Sequence, residues 1–132
     1  MDNRRTSRRL SVHFPASLKA GELTAEGAIR QISENGMLFE CSTHFEAMET
    51  GIFKMLVFDK EPPITLEGNI LYKLYHKDAQ DTMLRYGVRF TSLDNYMHRD
   101  SVERIVRFAT IRERYRHKVE MIEDGGTFRK DG

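Results

Sequence analysis

Between Leu10 and Phe90 the apolar residues of this chain recur mostly at every second position, and after Asn95 they recur at every third or fourth. A strand points successive side chains to opposite faces, whereas a helix brings residues three and four apart onto one face. This single change of period restricts the fold to a run of short strands followed by one long helix. Leu10, Val12 and Phe14 alternate with Ser11 and His13, and Pro15 predicts a bulge or strand end. Lys19-Ala20-Gly21-Glu22 reads as a turn, residues 23–32 as a second strand, and Met37 to Cys41 as its return. Residues 42–50 read as a loop and 51–58 as a buried strand, broken by Pro62-Pro63. Ile64, Leu66, Ile70, Tyr72 and Leu74 alternate as one inward set, with Gly68 a candidate bulge. After a polar loop at 76–82, Leu84, Tyr86, Val88 and Phe90 alternate with Arg85, Gly87 and Arg89.

The helical part carries Val102, Ile105, Phe108, Arg112, Tyr115, Val119 and Ile122 at three- and four-residue steps, and Gly125-Gly126 is its expected stop. Antiparallel strands avoid open edges by closing on themselves. The expected fold is therefore mainly β: a six-stranded antiparallel β-barrel with a long C-terminal α-helix. Three regions follow: a flexible basic arm at 1–9, the barrel and helix at 10–124, and a disordered tail at 125–132. A helix of that length overhangs so small a barrel, and Tyr115, Val119 and Ile122 offer a seam for a homodimer.

At 132 residues the chain fits one domain with a core of its own. The lone cysteine, Cys41, rules out an internal disulfide and reads as a small core residue. No apolar run approaches the ~18 residues of a membrane span, and no signal-like segment opens the chain, so a cytoplasmic location is expected. The formal net charge of +1 argues against a general nucleic-acid coat, so no DNA partner is expected. Its distribution is uneven, however. Residues 1–9 hold four arginines and one acid, and residues 99–118 hold seven Lys or Arg against three acids. The five histidines lack metal-ligand spacing, and neither a phosphate loop nor a nucleophile elbow is present. Nothing in the chain assembles a catalytic constellation, and neither a cofactor nor a metal is expected.

What remains are two polar features. Arg4-Arg5-Thr6-Ser7-Arg8-Arg9 precedes the first strand, and Gln31-Ile32-Ser33-Glu34-Asn35-Gly36 forms a turn after the second. Gln31 and Ser33 lie two apart, so both face outward while Ile32 faces the core. Asn-Gly suits the positive φ of a tight turn, which also accounts for Gly36.

With Tyr86-Gly87-Val88-Arg89-Phe90 ahead of a C-terminal helix, these two features give three landmarks over roughly residues 4 to 110. Together they resemble the PilZ domain family. That family has Arg-x-x-x-Arg before its first strand and Asp/Asn-x-Ser-x-x-Gly in its polar turn. Two registers fit the arginine motif, Arg4 with Arg8 and Arg5 with Arg9. The second is preferred because Arg9 abuts Leu10. Ser33 and Gly36 match the turn motif, and Gln31 stands where Asp or Asn is usual.

The resemblance implies a receptor and adaptor for cyclic di-GMP, with an unidentified downstream protein in motility, attachment or exopolysaccharide control. It implies ligand contacts from Arg5, Arg9, Gln31, Ser33 and Gly36, with Arg4, Arg8, Tyr72 and Arg85 as further candidates. Planar guanidinium forks suit both the ligand's phosphates and the O6 and N7 edge of its guanines. A glutamine accepts from guanine N1–H and N2–H less well than a carboxylate, at a cost on the order of 1–3 kcal/mol, or about 5- to 150-fold in affinity. A ligand-free adaptor of the same fold is the first alternative, and nucleic-acid binding through the two basic segments is a more distant one.

Overall fold

The computed structural model describes residues 8–75 and 83–125. Six strands run β1 (Leu10–Ala20), β2 (Leu23–Ile32), β3 (Gly36–Cys41), β4 (Thr50–Met55), β5 (Ile64–Tyr75) and β6 (Leu84–Phe90), followed by α1 (Tyr96–Gly125). All neighbouring pairs are antiparallel, and the order β1-β2-β3-β6-β5-β4 closes on β1 as a barrel. The alternating residues fill it. Phe14, Leu18, Ile29, Ile32, Phe39, Phe53, Leu66, Ile70, Tyr86 and Val88 belong to one buried cluster.

Pro15 neither ends nor bulges β1. Its carbonyl accepts from Leu56 N–H at 2.9 Å, just past the end of β4. In an extended strand a residue's N–H and C=O point the same way. The missing donor of Pro15 therefore faces a side where the ladder is already finishing. The irregularities fall elsewhere: between Ser11 and Phe14 in β1, between Ile29 and Gln31 in β2, and between Ile70 and Tyr72 in β5. Gly68, the expected bulge, stays in register opposite Gly51 and Phe90. The strand expected at 51–58 stops at Met55 because Phe58 turns to the helix. There it meets Phe108 edge-to-face at 4.9 Å, under the guanidinium of Arg104 at 4.4 Å.

Both barrel ends are closed by apolar side chains. Where β3 finishes and β6 begins, Phe45 of the β3–β4 loop packs edge-to-face on Tyr86 at 5.8 Å. The Tyr86 hydroxyl donates to Thr43 O at 2.7 Å and accepts from Phe45 N–H at 2.9 Å, which fixes that loop. At the other end α1 lies across the barrel with Val102, Ile105 and Ala109 buried in the common core. Asn95 caps the helix, accepting from His98 N–H at 3.1 Å. Glu67 anchors the strand-to-helix joint: its carboxylate accepts from the hydroxyls of Thr91 at 2.8 Å and Ser92 at 2.9 Å. Its N–H donates to His98 Nε2 at 2.9 Å.

At ~1.5 Å per residue, the 30-residue helix spans ~45 Å and outreaches the barrel. It continues through Gly125, the first residue of the expected stop. Tyr115 is 70% exposed, as the overhang requires, while the side chains of Val119 and Ile122 lie outside the described residues.

Candidate ligand-binding site

Strand register builds a row across the outer wall. Gln31 of β2 pairs with Leu38 of β3, Leu38 with Gly87 of β6, and Gly87 with Tyr72 of β5. Tyr72 joins this row because the bulge at Leu71 shifts the parity of β5. Ile70 stays in the core opposite Val88, whereas Tyr72 turns outward and is 39% exposed. The inward placement expected for Tyr72 and Leu74 is therefore overturned beyond Ile70, and Leu74 too is exposed, opposite Arg85. Gly87 provides the space for the ring. A Cβ there would collide with Cζ of Tyr72, so the tyrosine lies flat across the strand where other residues would carry a side chain. Leu38 is buried although it stands outside the core cluster, which gives the row an apolar floor.

One end of the row is bounded by the 33–36 turn. The Ser33 hydroxyl accepts from Asn35 N–H at 3.3 Å and donates to Gly36 O at 3.4 Å. Ser33 N–H donates to the same carbonyl at 2.8 Å. Ser33 is 7% exposed, beyond the strand end and folded into its own turn rather than standing out beside Gln31. Gly36 has no positive φ, so turn conformation does not explain it. It is the first residue of β3, pressed against β6 so closely that a Cβ would strike the carbonyl oxygen of Val88. Among the described residues the glycine with positive φ is Gly21, in the β1–β2 turn, at 61°.

Above this wall stands the end of the arm. Arg8 and Arg9, with Gln31, Ser33, Tyr72 and Arg89, line an open cavity of about 780 Å³. That volume is in the range of small-molecule sites. Its described lining holds three arginines and no carboxylate. The arm expected to be free through residue 9 is attached at Arg8, whose Nη2 donates to Glu113 Oε1 of α1 at 2.7 Å. Of Arg8 and Arg9, only Arg8 has an ion-pair partner among the described residues. Arg4 and Arg5 lie outside the described residues.

Arg85 is not part of this lining. It sits directly opposite Glu40, and its Nε donates to Glu40 Oε2 at 2.9 Å; Arg30 reaches the other carboxylate oxygen at 3.5 Å. Glu40 is nearly buried, and the two cations compensate its charge. Arg89, on the same face of β6, is the arginine that lines the cavity. The alternation placed both on one face, but the cross-strand partner decides which one a ligand can reach. Gly87 and Arg89 lie in the Tyr-Gly-Val-Arg-Phe run, but the contacts expected from the sequence took Arg85 from this strand and neither of these two, and nothing in the sequence marks Leu38, Leu71 or Glu113.

Burial, and secondarily the nearby Glu40 charge, push the Cys41 thiol above its usual pKa, and its Sγ–H points to Thr43 O at 3.5 Å. No cluster of three or more metal-ligating acid, His or Cys side chains occurs among the described residues. No helix there is long and apolar enough to cross a membrane.

Solved structures similar to this chain share its fold at low identity. The PilZ domain of YcgR from Escherichia coli, solved with c-di-GMP, superposes with a TM-score of 0.69 at 13% identity, over 88% of this chain and 98% of that one. The Inhibitor of motility (MotI/DgrA) of Bacillus subtilis gives 0.65 at 11% identity, over 85% of this chain and 52% of its own length. The PilZ domain of CeSA from a cellulose-synthesizing bacterium gives 0.58 at 18% identity, over 76% and 95%. No curated protein sequence matches the chain. The family model described as PilZ domain matches residues 3–108, which takes in the arm, the whole barrel and the start of α1. Members of this family are ligand-binding receptor or adaptor domains rather than enzymes, and the chain belongs to the PilZ domain family.

Proposed function

We propose that the chain is a receptor for cyclic di-GMP, bound between the arginine arm and the outer wall of the barrel, and that it passes the signal to another protein. One observation carries this reading. The cavity combines an apolar floor with a lining of three arginines and no carboxylate among its described residues. Such a surface favours a ligand with flat rings and two negative charges. The guanines can lie against the Tyr72 ring, which rests flat over Gly87, since base–aromatic stacking contributes about 1–3 kcal/mol per base. Arg9 and Arg89 meet the phosphates or the O6 and N7 edge of guanine through bidentate forks, which a lysine would not match. Arg5, four residues before Arg9, extends the same grip. Gln31 accepts from one guanine edge. Ser33 and Gly36 shape the turn beneath it. Two of the similar solved structures, the YcgR domain and the YcgR protein of Escherichia coli, are complexes with c-di-GMP.

The mechanism is an order transition. Ligand phosphates hold Arg9 where it lines the cavity and draw Arg5 in beside it, and the closed arm with its ligand forms a new surface. A downstream protein would dock beside it on the face of α1 that carries exposed Ile111 and Tyr115. Titration calorimetry with cyclic di-GMP tests the reading. Saturable heat at micromolar ligand, lost in Arg9→Ala, is expected. An absence of heat at high micromolar ligand leaves a ligand-free adaptor of the same fold.

A further inference from the structure

Glu113 lies on α1 one turn beyond Ala109, the last helix residue buried in the core among the described side chains. Its carboxylate accepts from Arg8 Nη2 at 2.7 Å, across 105 positions of sequence. Arg8 lines the arm cavity, whereas Glu113 lines a second groove of about 770 Å³ between α1 and the first half of β1. The pair therefore bridges the ligand wall and the helix.

We infer that Glu113 is an affinity-setting residue of the ligand site: it occupies the Arg8 guanidinium in the ligand-free protein and must release it when a phosphate binds. This inference rests on the cyclic di-GMP reading. A carboxylate and a phosphate seek the same donor edge of a guanidinium, and one fork cannot serve both in full. The contact uses one nitrogen, and the side chains are 68% and 28% exposed. Exposed pairs of this kind are weak, so the competition amounts to a factor of about five at most. That is enough to tune binding without blocking it. Displacement also cuts a tie between the arm and the helix, so ligand occupancy is felt at Ile111 and Tyr115. By linkage, a partner that draws Glu113 away tightens the ligand by the same factor.

The test is a double-mutant cycle of wild type, Glu113→Gln, Arg8→Ala and both together. Each protein is titrated with cyclic di-GMP at low ionic strength by calorimetry. Side-chain Nε relaxation of Arg8 is measured without ligand in wild type and Glu113→Gln. Glu113→Gln is expected to bind about two- to fivefold tighter, with no gain in the Arg8→Ala background and with a looser Arg8 side chain. Unchanged or weaker binding by Glu113→Gln overturns the inference, as does an equal gain without Arg8, which would mean simple repulsion of the ligand. If none of the four proteins binds, the receptor reading falls and this inference with it. The relaxation data separate that failure from a failure of the latch: an Arg8 side chain equally rigid in both ligand-free proteins rules out the latch whatever binds.

Discussion

Strand β6 presents two arginines to the same side of the barrel, and their surroundings make them opposites. Arg85 faces Glu40 across the ladder and shares that carboxylate with Arg30. Arg89, four residues on and ~13 Å away along the strand, faces Gly36 and the cavity that Arg8 and Arg9 also line. One arginine balances a nearly buried acid of its own fold. The other stands where the described wall holds no acid. A positive side chain on an outer strand face is a binding candidate only after its cross-strand neighbour is known, and here one residue of β3 on each line, Glu40 or Gly36, decides the matter.

The comparison breaks most visibly at the arm. Arg9→Ala is expected to weaken cyclic di-GMP binding by roughly 10- to 100-fold, since hydrogen bonds to charged groups contribute about 1.5–3 kcal/mol. Arg5→Ala should behave alike and Arg4→Ala should cost less, all read by calorimetry. If Arg4 and Arg8 prove the sensitive pair, the register is the other one. Tyr72→Ala comes next, at about fivefold or more, because it removes the stacking surface. Gly87→Ala should approach that loss with little change in melting temperature: the atom it displaces is the far end of a half-exposed ring, and the ring can swing away.

The two β6 arginines then separate by readout. Arg89→Ala should lower affinity about tenfold and leave stability within ~0.5 kcal/mol, as for an exposed side chain. Arg85→Ala should leave affinity unchanged and cost about 1–3 kcal/mol in denaturant unfolding, because Glu40 stays nearly buried with one partner fewer. The reverse pattern would dissolve the distinction. The smallest effect lies at the joint between β6 and α1. Hydrogen bonds from Thr91 and Ser92 hold the Glu67 carboxyl below its usual pKa. Its unfolded form therefore binds a proton more readily, and its stabilisation is present above the ordinary carboxylate range and lost as pH falls through the depressed value. Glu67→Gln should flatten the acid limb of a stability-against-pH curve measured by urea unfolding. A limb as steep as wild type would remove Glu67 from it.

Much of this architecture was legible because the apolar alternation and its change of period are properties of single segments. Six strands and a closing helix follow from residues such as Leu84, Tyr86, Val88 and Phe90, read with their neighbours alone. The landmarks at Ser33, Gly36 and Tyr86–Phe90 were legible too, since they sit at fixed spacings. What escaped depends on pairing. The one-residue bulge at Leu71 leaves no mark in composition, yet it carries Tyr72 from the expected core to the outer wall. Gly36 invites reading as a turn residue, and only the approach of Val88 reveals its reason. The contact between Arg8 and Glu113 joins opposite ends of the sequence, and no local pattern announces it.

The most direct measurement is an amide NMR titration of the wild-type chain with cyclic di-GMP. Saturable shifts at Gln31, Ser33, Tyr72, Gly87 and Arg89, with new rigidity at Arg5 to Arg9 and little change at Glu40 and Arg85, are predicted. Spectra that stay unchanged to high micromolar ligand, or shifts confined to the Glu40–Arg85 side of the wall, would contradict the account.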